Sequence, residues 1–130
     1  EQGQALIVYP EGVRNSDGRL TRAEAGAGFL ARLNETAVQP LALVGSERCL
    51  PKGAWWPRRH PVEMRWGTPL RINQRLPGGG RVTNQAAADA IMLAIATMLP
   101  PEMRGVYQNL EEWEQRLTGV ASPLSTELAN

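Results

Sequence analysis

Leu6-Ile7-Val8-Tyr9-Pro10-Glu11-Gly12-Val13-Arg14-Asn15-Ser16-Asp17-Gly18-Arg19-Leu20 is the stretch whose reading decides the fold of this 130-residue chain. Four residues that favour extended backbone, Leu6 to Tyr9, stop at Pro10. Residues 4–9 are too apolar for a strand with one wet face, so they predict a central strand covered on both sides. Pro10 and Gly12 break the ladder at its end, and Asn15-Ser16-Asp17-Gly18 reads as a turn. The rim of an α/β sheet is where ligands bind. Arg14 offers a planar fork of donors suited to phosphate or carboxylate, and Glu11 can hold that fork or accept from a hydroxyl. The plainer reading of the same residues is a strand, a turn and a surface ion pair.

Outward from this stretch, Thr21 with Glu24 forms a capping-box pattern, predicting a helix from about Arg22 to Leu33. Phe29, Leu30 and Leu33 would lie against the sheet. Gly26 and Gly28 each cost such a helix about 1 kcal/mol relative to Ala and mark close packing on a neighbour. Val38 to Val44 reads as the next strand, ended by Gly45, and a strand, helix, strand order of this length predicts a right-handed crossover with parallel pairing. Gly45 and Gly12 would then share a rim, with Ser46 and Arg48 beside it. The fold class predicted is α/β: a partial sheet of mostly parallel strands with crossover helices, followed by C-terminal helices.

Residues 46–60 read as an irregular loop. Trp55 and Trp56 beside Lys52, Arg58 and Arg59 suit a membrane-contact patch, tryptophans at headgroup depth and cations on anionic lipid. The alternative is one tryptophan in the core and solvated arginines. Nucleic-acid stacking lacks a wider basic face. Val62, Met64 and Trp66 alternate with Glu63 and Arg65 as a half-exposed strand nearer an edge, which Leu70 and Ile72 extend beyond a break at Gly67–Pro69. Pro77-Gly78-Gly79-Gly80 reads as a turn rather than a nucleotide loop. Thr83 or Asn84 caps a helix over residues 85–98, apolar nearly all the way round, which must be buried on several sides or face lipid or a partner. Pro100-Pro101 ends it. A last short helix spans residues 107–117, and residues 118–130 carry no pattern and read as disordered.

The net charge of +1 argues against a polyanion binder that works by bulk electrostatics. A lone cysteine, Cys49, excludes an internal disulfide and reads as an idle thiol. The single histidine, His60, reads as a loop residue. The most apolar run, Ala86 to Leu99, is too short to cross a bilayer and carries Asp89.

Tyr9-Pro10-Glu11-Gly12-Val13-Arg14-Asn15 resembles the Phe-Pro-Glu-Gly-Thr-Arg-Ser block of the glycerolipid acyltransferases, the glycerol-3-phosphate and lysophosphatidate enzymes among them. The likeness continues in Gly26, in Val38-Gln39-Pro40-Leu41-Ala42-Leu43-Val44-Gly45 and in Trp66-Gly67-Thr68-Pro69-Leu70, and more weakly in residues 102–107. It implies that residues 1–107 are the C-terminal half of an acyltransferase domain, followed by a helix and tail over 108–130. The family's catalytic His-x-x-x-x-Asp lies upstream of this block. No His precedes Glu11 here, so the resemblance assigns no catalytic residue to this chain, which is expected to be inactive alone.

The implied reaction moves a fatty acyl group from a thioester to a hydroxyl of a glycerol phosphate or lysophospholipid, the upstream His acting as general base. Glu11, Gly12, Val13, Arg14 and Asn15 would bind the acceptor, Arg14 taking its phosphate. Val13 and Asn15 stand where the family has hydroxyl residues. No cofactor or metal is implied: acyl-coenzyme A or acyl carrier protein serves as donor substrate. The partners implied are donor, phosphorylated glycerol acceptor and a membrane surface, with no nucleic acid. The location implied is the cytoplasmic face of a membrane, peripheral or anchored through other segments. The alternative is a degenerate, non-catalytic module binding lipid or a partner. An upstream half removed from the sheet would leave apolar surface uncovered.

Overall fold

The structure, a computed structural model, describes residues 3–13, 15 and 17–124. Its organising element is a helix over Asn84–Ala96, α2, against which a shorter helix over Ala25–Arg32, α1, packs. Thr83 caps α2, its hydroxyl accepting from the Ala86 N–H at 3.1 Å. The apolar residues that circle this helix are buried on two sides, as its lack of a polar stripe requires. Ala87, Ala90 and Ile91 join Leu70, Ile72, Val82 and Val120 in one core. Ala88, Met92 and Ala96 join Ala23, Tyr107 and Trp113 in a second.

α1 crosses α2 at Gly28, where a Cβ would overlap the Asn84 carbonyl oxygen and come within 2.7 Å of the Ala88 nitrogen. The close packing expected of Gly26 and Gly28 therefore occurs at Gly28, while Gly26 faces open space. Small residues on one side of α1, Gly28 and Ala31, let the backbones approach, and that side is the one buried. Phe29, Leu30 and Leu33 are exposed instead of lying against a sheet. The helix also starts later than predicted. Its N-cap is Glu24, without a side-chain capping bond, and Thr21 donates its hydroxyl to Glu11 rather than capping.

The mostly parallel sheet does not form. Among the described residues, every ladder between strands is antiparallel. The strands are β1 (Ala37–Val38), β2 (Leu41–Val44), β3 (Glu63–Trp66), β4 (Leu70–Ile72) and β5 (Ala121–Pro123). They make a three-stranded sheet in the order β1-β4-β5 and a two-stranded ribbon of β2 and β3. A parallel crossover needs residues 4–9 as a neighbouring strand. Residues 3–9 form no ladder among the described residues, and Leu6, Ile7 and Tyr9 are 73%, 81% and 75% exposed. Val38–Val44 pairs instead with the chain that follows it.

That pairing changes partner at Pro40. Val38 stands opposite Leu70, a register that would set Leu41 opposite Gly67, yet Leu41 stands opposite Trp66. The slip of one residue sits where Pro40 lacks an N–H and where the Gly67 N–H donates to the Pro40 carbonyl at 3.0 Å. Leu70 and Ile72 consequently belong to a separate sheet rather than extending β3.

The Gly-rich stretch is a turn, closed by the Leu76 N–H donating to the Gly80 carbonyl at 2.7 Å. The last helix, α3, spans Leu110–Arg116 and is capped by the Asn109 side chain. Residues 118–124 are not disordered. Ala121–Pro123 pairs with β4, and Val120 fills the first core; too few apolar residues recur there for a pattern to be read. Residues 125–130 lie outside the described residues. Among the described residues, no helix is long and apolar enough to cross a membrane.

Candidate functional site

The Pro-Glu-Gly turn is built by a short list of bonds. The Gly12 N–H donates to the Tyr9 carbonyl at 3.1 Å, and the Pro10 carbonyl accepts from the Glu24 N–H at 2.8 Å. Gly12 has φ of 66°, in the left-handed region, and a Cβ there would stand 2.7 Å from Glu24 Cγ, so both backbone and space call for glycine. Glu11 Oε2 accepts from the Thr21 N–H at 2.9 Å and the Thr21 hydroxyl at 3.0 Å. This carboxylate thus anchors the turn to the chain before α1, a role the sequence did not suggest.

Of the other predicted acceptor-binding residues, Arg14 lies outside the described residues. Val13 is exposed. Asn15 accepts from the Asp17 N–H at 3.2 Å and donates to the Arg19 carbonyl, closing the loop through its own side chain. Gly18 lies against Glu47, a Cβ being 3.2 Å from Glu47 Cγ. The loop after the turn and the loop after β2 therefore meet. In the latter, the Gly45 N–H donates to Glu47 Oε2 at 3.1 Å, while Ser46 and Arg48 are exposed. His60 is a loop residue with Nδ1 2.8 Å from the Pro61 carbonyl oxygen. Cys49 is a half-buried free thiol.

Behind the turn, residues 20–24 form a strut that is tied to the rest of the fold. The Leu20 N–H donates to the Met103 carbonyl at 3.0 Å, and the Leu20 carbonyl accepts from Val106 at 3.3 Å. Gly105 makes this contact possible: its φ is 54°, and a Cβ would overlap the Leu20 carbonyl oxygen. Arg22 donates to Asp89 with Nη2 to Oδ2 at 2.9 Å and Nε to Oδ1 at 3.4 Å. Tyr107 Oη donates to Asp89 Oδ1 at 2.8 Å and accepts from the Ala23 N–H at 3.0 Å. Gln85 Nε2 donates to the Ala23 carbonyl at 2.9 Å and to Asp89 Oδ1 at 3.3 Å.

Asp89 is 2% exposed, and these donors explain how α2 tolerates a carboxylate in its buried face. Hydrogen bonding to Asp89, followed by its charge, raises the Arg22 pKa. Burial pushes the Tyr107 hydroxyl up, with the bond and charge of Asp89 adding to it. Trp113 completes the cluster. Its ring lies 4.9 Å from that of Tyr107 and 5.4 Å beneath the Arg22 guanidinium, and its Nε1–H donates to the Val106 carbonyl at 2.9 Å. The sequence reading missed this network. Its signal was a single acid in an otherwise apolar helix.

Trp55 and Trp56 are 92% and 76% exposed, so neither packs into the core, and Lys52, Arg58 and Arg59 are exposed beside them. The Arg58 N–H donates to the Cys49 carbonyl at 2.6 Å, which fixes this loop against the segment after β2. Two shallow concavities, of about 480 and 340 Å³, lie along the C-terminal half of α2, the first walled in part by Met98 and the second by Leu117; Glu11, Gly12, Val13 and Asn15 line neither. Among the described residues, no group of three or more His, Cys, Asp or Glu is placed to hold a metal ion.

The chain is similar to several curated acyltransferases. It is 31% identical over 73 residues to a 1-acyl-sn-glycerol-3-phosphate acyltransferase of Limnanthes alba, covering 56% of this chain and 26% of that protein. A chloroplastic enzyme of the same name from Arabidopsis thaliana is 35% identical over 54 residues, 42% of this chain and 15% of its own length. One from Chlamydomonas reinhardtii is 26% identical over 115 residues, 88% of this chain and 32% of its own length. These likenesses support kinship with the acyltransferases at the level of the family. The chain spans about a third or less of the length of these relatives. No family model and no solved structure matches it.

Proposed function

We propose that this chain is the acceptor-holding part of an acyltransferase that moves a fatty acyl group from an acyl thioester to a hydroxyl of a glycerol phosphate or lysophospholipid. The general base that takes the hydroxyl proton comes from elsewhere in the protein, since this chain brings no histidine to the Pro-Glu-Gly turn. Arg14 pairs with the acceptor phosphate, a charge-assisted contact worth about 1.5–3 kcal/mol. Gly12 allows the left-handed turn that packs against Glu24, and Asn15 closes the following loop through Asp17 and Arg19.

The observation that carries this reading is the anchoring of Glu11. With its carboxylate held by Thr21 at 2.9 and 3.0 Å, Glu11 shapes the turn just ahead of Arg14 in the sequence instead of meeting the substrate itself. In the protein that carries this chain, Arg14→Ala is expected to raise the acceptor KM at least tenfold, about 1.4 kcal/mol, with the donor KM little changed. Unchanged acceptor kinetics would remove Arg14 from the site.

The same protein works at a membrane surface, on its cytoplasmic face, and the exposed pair Trp55 and Trp56 with Arg58 and Arg59 touches the lipid. Tryptophan favours the headgroup boundary and arginine favours anionic lipid. Replacing both tryptophans by alanine is expected to cut co-sedimentation with vesicles rich in anionic phospholipid severalfold. Equal sedimentation of the two forms would dismiss the patch.

A further inference from the structure

Of the four residues Leu20 to Ala23, three are tied to α2 and residues 103–107 and one to the Pro-Glu-Gly turn. Leu20 is held by Met103 and Val106, Arg22 by Asp89, and Ala23 by Tyr107 and Gln85. Thr21, between them, gives both its N–H and its hydroxyl to Glu11. Glu24, the next residue, holds Pro10. The turn is therefore suspended from a segment whose own position is set by α2 and by residues 103–107, roughly eighty positions further along the chain.

We infer that Tyr107, Asp89 and Gln85 are positioning residues for the acceptor loop. They fix the strut, the strut fixes Glu11, and Glu11 fixes the Pro10–Gly12 turn that precedes Arg14 in the sequence. Tyr107 is the hinge pin of this arrangement, because one hydroxyl joins the Ala23 N–H to the buried Asp89 carboxylate at 3.0 and 2.8 Å. The second end of the strut is held by the close approach at Gly105, so loss of the hydroxyl loosens the strut without releasing it. This inference rests on the proposal that the loop binds the acceptor phosphate, but its mechanical half is measurable without that proposal.

The experiment compares Tyr107→Phe with Ile72→Val in the protein that carries this chain. Ile72 lies in the first core, away from the strut, and Ile72→Val reports what general destabilisation does. Amide hydrogen exchange is followed at residues 21–24, with acceptor and donor KM measured in parallel. Tyr107→Phe is expected to speed exchange at Thr21 at least tenfold while the amides of Leu93 to Ala96 stay protected, and to raise acceptor KM at least threefold with kcat and donor KM within twofold. Ile72→Val is expected to leave acceptor KM unchanged. Unchanged exchange at Thr21, or a rise shared evenly with Leu93 to Ala96, overturns the inference. If Tyr107→Phe does not fold, Gln85→Met, which removes the bond to the Ala23 carbonyl alone from the strut's backbone, is judged by the same readings. If Arg14→Ala leaves acceptor KM unmoved, the acceptor-binding reading falls, and exchange at Thr21 decides the positioning role by itself.

Discussion

Gly28→Ala is expected to destabilise the chain by about 2–3 kcal/mol in denaturant unfolding, whereas Gly26→Ala stabilises it by about 0.5–1 kcal/mol. The two glycines lie two residues apart in the same helix, and intrinsic propensity alone favours alanine equally at both. Their surroundings differ. A Cβ at Gly26 meets nothing within 4 Å, but at Gly28 it overlaps backbone atoms of Asn84 and Ala88 in α2. Backbone within a helix cannot turn aside as a side chain can, so α1 must move outward and the contact between the helices loosens along its length. The same shift would disturb Arg32, whose guanidinium donates to Asn84 Oδ1 at 2.6 Å. A stabilising Gly28→Ala would show that the crossing of α1 on α2 is not as close as described.

Asp89→Ala is expected to cost about 3 kcal/mol, with Asp89→Asn costing clearly less. Removing the carboxylate strips the Tyr107 hydroxyl, buried in the second core, of its acceptor and leaves Arg22 without its partner. An unsatisfied buried polar group costs about 1–3 kcal/mol, and breaking a buried ion pair about 3–5 kcal/mol. The lower end applies here because the Arg22 side chain is 54% exposed and regains water. Asparagine keeps an acceptor oxygen for Tyr107, which is why it is the milder change. The contrast is with Glu112 and Arg116, 3.7 Å apart and both more than half exposed, whose pairing contributes at most about 0.5 kcal/mol. A cost for Asp89→Ala as small as that would show the buried network to be replaceable.

Several elements were legible from residues alone. Thr83 caps a helix because a hydroxyl one residue ahead of an alanine-rich run can only improve it. Pro77–Gly80 turns, β3 forms an exposed edge, and α2 ends at Ala96, ahead of Pro100-Pro101 and two residues short of the predicted Met98. The Pro-Glu-Gly block was visible as chemistry, and the chain's likeness to acyltransferases is met in part by relatives 26–35% identical over part of its length. The role of Glu11 was not legible, since Thr21 read as a helix cap and its hydroxyl serves the carboxylate ten residues earlier. Nor was the Asp89 cluster, because Arg22, Asp89 and Tyr107 come from three distant segments. The bulky residues of α1 misled for a related reason: volume suggested the buried side, but the smaller side allowed the closer approach.

By itself the sequence determined the turn at Pro77–Gly80, the capped start of α2, and which side chains bear a fixed charge or an amphipathic ring. Those are local matters: a proline lacks its N–H and a guanidinium keeps its charge wherever the chain goes. The tertiary structure alone decided that the strands run antiparallel, that Val38–Val44 changes partner at Pro40, that residues 3–9 stay outside the ladders, and that a carboxylate in α2 holds the strut behind the turn. Each of these depends on which distant segment arrives opposite, and an extended or helical stretch satisfies its own backbone equally well with more than one neighbour.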